Sequence, residues 1–226
     1  MQSIVLDIGN VICEWNPQRL AACAFADPDD HEQALEDTVN HPDWLDLDRG
    51  KISLAQAIEN AQARSALKPK CIERIYRALP VSLEPLTSTV GILDKVVAAG
   101  IKLHVLSNMQ HHAWQFLQST HPFWEYFDTV VVSCDTGFIK PEPEIFRYLV
   151  DKAKLDPADS VFIDDMRENV LASREFGLPA VQLQDRHEGG SLLAQLLVIA
   201  VDQEGGALAD RSLPDTWPQQ QAVAAG

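Results

Sequence analysis

Apolar residues fall along this chain in two alternating rhythms. Short runs of Val, Ile and Leu, each closed by a polar residue, read as buried parallel strands. They are Ile4-Val5-Leu6 ending at Asp7, Ile101 to Leu106 ending at Ser107-Asn108, Thr129 to Val132 ending at Ser133, Ser160 to Ile163 ending at Asp164-Asp165, and a short fifth over Ala180 to Leu183. Between them apolar positions recur at helical spacing, as in Leu86, Val90, Leu93 and Val97 before Gly100, or over Arg167 to Phe176 before Gly177, which predicts helices with glycine stops. Strand and helix in alternation predict an α/β fold whose core is a Rossmann-like, doubly wound parallel sheet.

Residues 15–84 interrupt that rhythm. Helical spacings (Leu20, Ala24; Leu35, Val39; Leu54, Ala57, Ile58, Ala61) are punctuated by Pro17, Pro28, Pro42, Pro69 and Pro80, with no strand pattern among them. The expected division is a core built from 1–14 and 85–202, an inserted α-helical cap over 15–84, and a flexible tail over 203–226 containing Gly205-Gly206, Pro214, Pro218 and a Gln run. An insert placed just after the first strand lies over the crevice at the strand ends, where it would serve as a lid and select the substrate.

At 226 residues and 46% hydrophobic, the chain has enough material for one sizeable core and a smaller appended unit. Apolar runs such as Ser191 to Val201 fall short of the ~20 residues a bilayer span needs, and no basic segment precedes the first apolar stretch, so neither a membrane anchor nor an export signal is expected. Cys13, Cys23, Cys71 and Cys134 are scattered without zinc-like or disulfide-like spacing, which suits reduced thiols and a cytoplasmic setting. The 33 acidic against 18 basic residues, a net charge of -15, repel nucleic acid. A small anionic substrate is still accommodated where a divalent cation, a lysine and backbone amides concentrate positive charge. Nothing in the pattern fixes an oligomeric state.

Four polar clusters stand at or just beyond predicted strand ends: Asp7; Ser107-Asn108; Lys140 within Gly137-Phe138-Ile139-Lys140-Pro141-Glu142-Pro143; and Asp164-Asp165. Taken singly, Asp7 reads as a turn-former, Ser107 as a helix cap and Lys140 as a loop lysine. The acidic pair fits a plain role least, because adjacent carboxylates after a buried strand repel unless a cation or base is near. In type and order the four resemble the motifs of the haloacid dehalogenase superfamily, a nucleophilic Asp, a Ser/Thr, a Lys and an acidic pair. The resemblance covers residues 1–185, and the insert falls where that family's type 1 helical caps lie. The Asp-Ile-Gly-Asn-Val-Ile opening and the Lys-Pro-Glu-x-x-Ile-Phe third motif look most similar to the bacterial branch that includes the α-glucose-1-phosphate phosphatases.

The resemblance implies a Mg²⁺-dependent phosphatase acting on a small phosphorylated metabolite such as a sugar phosphate. Asp7 would attack phosphorus and carry an aspartyl phosphate, a task for which a carboxylate is suited. Lys140, Ser107 and backbone amides around Ile8 and Gly9 would neutralise the transferring oxygens, while Asn108 would orient substrate or phosphate. Mg²⁺ would rest on Asp7, the backbone carbonyl of Gly9 and the acidic pair, with Asp165 as direct ligand and Asp164 behind it, although spacing alone allows the reverse.

Gly9 departs from the family pattern, in which the residue two past the nucleophile is an Asp that shuttles a proton, a service of the order of 10²–10⁴ in rate. A weakly basic leaving group, a substitute from the cap, water or substrate, or poor catalysis would each account for the glycine. A metal-free dehalogenase and a phosphate-binding or regulatory module with little turnover stand as alternatives. No Gly-x-Gly-x-x-Gly follows the first strand, which argues against a dinucleotide binder. His111 and His112, and Trp15, Arg19, Trp44 and Arg49 of the insert, are further contact candidates for which packing or surface charge is an equal explanation.

Overall fold

The computed structural model describes residues 1–201 and 213–217. Six strands, β1 (Ser3–Leu6), β2 (Lys102–Ser107), β3 (Phe127–Val132), β4 (Ser160–Asp164), β5 (Ala180–Leu183) and β6 (Thr216–Trp217), form one sheet in the order β3-β2-β1-β4-β5-β6. Every pairing is parallel. The continuous apolar runs conceal a period of two. Ile4, Leu6, Leu103, Val105, Val161 and Ile163 pack on one face, while Val5, Leu106 and Phe162 pack on the other. Burial on both faces is why these strands show no polar alternation.

Between β1 and β2 lie five helices, α1 (Pro17–Ala24), α2 (His31–Asp37), α3 (Pro42–Asp48), α4 (Leu54–Arg64) and α5 (Pro69–Ser82). The prolines at 17, 42 and 69 open helices, where their missing N–H costs nothing. Asn16 and Ser53 cap α1 and α4 by accepting from Arg19 N and Gln56 N. Pro80 is different, since α5 continues through it to Ser82. Leu20, Ala24, Trp44, Ile72, Ile75 and Tyr76 of this insert join the same apolar cluster as one face of the sheet.

The remaining helices are α6 (Thr87–Val90) and α7 (Leu93–Ala98) before β2, α8 (His111–Thr120) after it, α9 (Ser133–Thr136) and α10 (Pro143–Ala153) after β3, α11 (Arg167–Phe176) after β4 and α12 (Gly189–Val201) after β5. Helices α10 and α11 cover the Val5–Phe162 face through Ile145, Phe146, Leu149 and Val170. Where the Leu86 to Val97 spacing predicts one helix, the structure has two. Gly91 stands at the break after a threonine-rich turn, a combination with weak helix preference.

Residues 213–217 correct part of the expected tail. Thr216 and Trp217 add a strand to the free edge of β5, with Gln184 N donating to Trp217 O at 2.7 Å and Arg174 pairing with Asp215 at 2.8 Å. The rest of that expected tail lies outside the described residues. Among the described residues no helix is long and apolar enough to cross a membrane, and all four cysteines are free thiols.

Candidate active site

The sheet order reverses at β1, which has β2 on one side and β4 on the other. At such a switch point the connections diverge and leave a crevice beyond the strand ends. Asp7 stands there directly after β1, fixed by its N–H to Ile163 O at 3.0 Å and by Ile8 N, which donates to Asp7 Oδ1 at 2.7 Å. The Ile8 amide, expected to face phosphate, thus serves the carboxylate instead. Lys140 arrives from the segment between α9 and α10 and places its Nζ 2.8 Å from Asp7 Oδ1 and 2.6 Å from Asp164 Oδ2. Its ammonium also lies 5.4 Å from the centre of the Phe162 ring.

Asp164, fully buried at the end of β4, accepts from Lys140, from Met166 N at 2.8 Å and from Asn169 Nδ2 at 3.0 Å. Asp165 is only partly buried and lines the cavity; its Oδ2 accepts from Asn10 Nδ2 at 3.0 Å. Oxygens of Asp7, Asp164 and Asp165 lie within 4.8 Å of one another. Burial, opposed by Lys140 and reinforced by Asp164 and Asp165, pushes the Asp7 carboxyl up to about 7. Burial likewise raises Asp165, against the Asn10 hydrogen bond. For Lys140, burial alone would lower the ammonium, but Asp164 and Asp7 outweigh it and the group is raised. Three clustered carboxylates facing one lysine leave negative charge in excess, and hard oxygen donors so close together suit a divalent cation such as Mg²⁺.

Ser107 ends β2 almost fully buried, and its Oγ donates a long 3.5 Å contact to Asn108 O, weak enough to exchange for a ligand oxygen. Asn108 spends its side chain on the lysine segment: Oδ1 accepts from Lys140 N at 2.8 Å and Nδ2 donates to Lys140 O at 3.1 Å. The residues of the four motifs, with Gly9, therefore meet at one place. Asp7, Gly9, Ser107, Asn108, Lys140 and Asp165 line a single cavity of about 440 Å³, with Asp164 immediately behind.

The insert closes the opposite wall with Trp15, Trp44, Leu79 and Leu83, and Trp15, Trp44 and Tyr76 stack in sequence. Asp48, the last residue of α3, also reaches this cavity, and burial pushes its carboxyl up to about 7 despite the adjacent Gln110 amide. The insert is held down beside it. Ser133 Oγ donates to Asp48 O at 2.5 Å, Gly50 approaches so closely that an added Cβ would stand 2.6 Å from Cys134 O, and Arg49 grips Glu142 at 2.8 and 2.5 Å. Arg49 is thus a clasp on the lysine segment, and its guanidinium holds Glu142 below the usual carboxylate range.

Other candidates take plainer places. Arg19 pairs with Glu14 and Glu84, His111 with Asp135, and His112 bonds Tyr76 O at 3.0 Å. Neither histidine lines the cavity. Sequence reasoning missed Asn10, Asp48, Gln110 and Asn169. For Asn10 a signal existed: asparagine tolerates the left-handed backbone, here φ 53°, that a glycine turn favours.

A family model described as haloacid dehalogenase-like hydrolase matches residues 48–183. The chain is 23% identical over 184 residues to the sesquiterpene phosphatase astK of Aspergillus oryzae, covering 81% of this chain and 90% of that protein. It is 26% identical over 156 residues to the pyrimidine 5'-nucleotidase YjjG of Escherichia coli, covering 66% and 69%. Several other curated relatives are far longer than this chain, which spans 35% of one and 11% of another. Among solved structures, the fold matches the HAD family enzyme bt-2542 of Bacteroides thetaiotaomicron, in complex with magnesium and inorganic phosphate, at a TM-score of 0.65 and 19% identity over 80% of this chain and 93% of that one.

Proposed function

This chain belongs to the haloacid dehalogenase-like hydrolase family, and on that premise we propose that it is a Mg²⁺-dependent phosphatase of small phosphate monoesters that works through an aspartyl phosphate on Asp7. The observation that carries this reading is the Asp7–Lys140–Asp164 charge chain with Asp165 alongside. A carboxylate that is to attack phosphorus must be held in place and shielded from the anion it attacks. Ile8 N and Lys140 hold it, and Lys140 is itself held by Asp164. Asp7, Asp165 and the Gly9 carbonyl are the proposed cation ligands, since they line the cavity, whereas the Asp164 carboxylate is occupied by Lys140, Met166 N and Asn169. When bound, Mg²⁺ supplies charge neutralisation for the transferring phosphoryl group.

Ser107 donates to a phosphoryl oxygen, and Asn108 acts by fixing the backbone of Lys140. Attack on carbon needs no cation, so the carboxylates clustered around Asp7 argue for phosphoryl chemistry. The bt-2542 complex with magnesium and phosphate supports the same chemistry for this fold. The narrower likeness to α-glucose-1-phosphate phosphatases rests on the sequence motifs alone. Trp15, Trp44, Leu79, Leu83 and Met109 favour a substrate alcohol with an apolar or flat face, which a terpenoid or the carbon face of a sugar provides.

Phosphate release from a panel of terpenoid, sugar and nucleoside monophosphates, with Mg²⁺ or chelator and with Asp7→Asn as blank, tests this. Metal-dependent turnover absent from the blank is expected. Turnover that persists in chelator, or in Asp7→Asn, overturns the reading; phosphate binding without turnover would leave a binding module.

A further inference from the structure

We propose that Asp48, delivered by the insert, is the acid–base residue that replaces the missing carboxylate at position 9; this rests on the phosphatase reading above. Gly9 has no side chain to move a proton, so the leaving oxygen must be served from another wall of the cavity. Four carboxylates line that cavity: Asp7, Asp48, Asp165 and Glu168. Asp7 is the proposed nucleophile and Asp165 a proposed cation ligand, while Glu168 is exposed to solvent. Asp48 is buried, lines the same cavity, and is contributed by the insert rather than by the strand-end residues assigned to the phosphoryl group, which leaves it to serve the alcohol portion of a monoester.

A second observation marks the same spot. Gln110 is almost fully buried, lines the cavity next to Asp48, and neither polar atom of its amide has a well-formed hydrogen bond within the protein. A buried amide left in that condition costs free energy unless a ligand meets it, so beside Asp48 the pocket offers an amide donor to a leaving oxygen and an amide acceptor to the alcohol that forms from it. Burial, against the adjacent Gln110 amide, pushes the Asp48 carboxyl up to about 7. Facing groups are Gln110, with Asp7, Lys140, Asp165 and Glu168 around the cavity, Cys134 alongside, and Arg49 next in sequence, which is turned toward Glu142.

The proton balance is complete. As Asp7 bonds to phosphorus and the ester P–O bond breaks, the Asp48 proton passes to the leaving oxygen and an alcohol departs. Water then attacks the aspartyl phosphate, the bond to Asp7 breaks, and the water proton returns to Asp48 as inorganic phosphate forms.

The test is a leaving-group series from 4-nitrophenyl phosphate, whose phenolate leaves unprotonated, to alkyl phosphates, measured with Mg²⁺ in wild type, Asp48→Asn and Glu168→Gln. Asp48→Asn is expected to lose roughly 10²–10⁴ in kcat on alkyl phosphates and at least tenfold less than that on 4-nitrophenyl phosphate, so that rate falls more steeply with leaving-group basicity. Independently of any variant, the wild-type kcat on alkyl phosphates relative to that on 4-nitrophenyl phosphate should fall as pH rises through about 7, because ionisation of the nucleophile Asp7 acts on both substrates alike while loss of the Asp48 proton slows only the basic leaving groups. Equal losses on all substrates, the steeper slope appearing in Glu168→Gln instead, or superimposable wild-type profiles would each overturn the role of Asp48. No metal-dependent turnover of any ester by wild type would instead bring down the phosphatase reading and this inference with it.

Discussion

Replacing Asp48 by Asn should flatten the dependence of stability on pH. In the folded protein burial carries this carboxyl from 3.8 to about 7, while the unfolded chain retains the ordinary value. Between those limits the native state holds a proton that the unfolded state has released. The contribution to stability is therefore complete below pH 3.8 and is lost as pH rises through about 7. At ~1.4 kcal/mol per pH unit the loss amounts to about 4 kcal/mol as an upper figure. Asparagine has no proton to lose, so the stability of Asp48→Asn relative to wild type should improve by up to about 4 kcal/mol from pH 4 to pH 8, roughly 2–4 °C of Tm for each kcal/mol. Asp7 and Asp165 titrate in both proteins and cancel in the difference. Urea unfolding at several pH values in chelator measures it, and two curves that stay parallel across this range refute the buried-acid argument.

Lys140→Ala should be the most damaging change at the site, because it leaves Asp7 and Asp164 buried without their countercharge, at a cost of about 3–5 kcal/mol; urea unfolding at pH 8 reads this, and Mg²⁺ should recover part of it. Arg49→Ala and Glu142→Ala should show a coupling of about 1 kcal/mol in a double-mutant cycle, since the pair is bidentate but only partly buried. Both single variants should also raise KM, as the clasp joins the insert to the segment that carries Lys140.

Much of the sheet was legible because parallel strands buried on both faces must be continuous apolar runs: Ala180 to Leu183 matches β5 at both ends, and Ile101 to Leu106 differs from β2 by one residue at each end. The polar residues that stop those runs became the site, since a strand end at the switch point points into the crevice. Asp48 and Gln110 were not legible. Their importance comes from where the insert folds back onto the sheet, and a helical acid or glutamine looks the same in sequence whether it meets solvent or a cavity. Arg49 was visible as a candidate, but its engagement with Glu142, far along the chain, follows from tertiary contact. Gly91 and the strand at Thr216–Trp217 escaped for a related reason: one is a weak break in an otherwise regular spacing, the other a short segment ordered by the edge of β5.

Chemical trapping of the phosphoryl group on Asp7 bears most directly on the account. Wild-type protein mixed with a turned-over monoester and Mg²⁺, quenched in acid and analysed by peptide mass spectrometry, should carry one phosphoryl group on the peptide containing Asp7, absent in chelator and in Asp7→Asn. Hydrolysis at full rate with the phosphoryl group on another residue, or with turnover undiminished in Asp7→Asn, would contradict it.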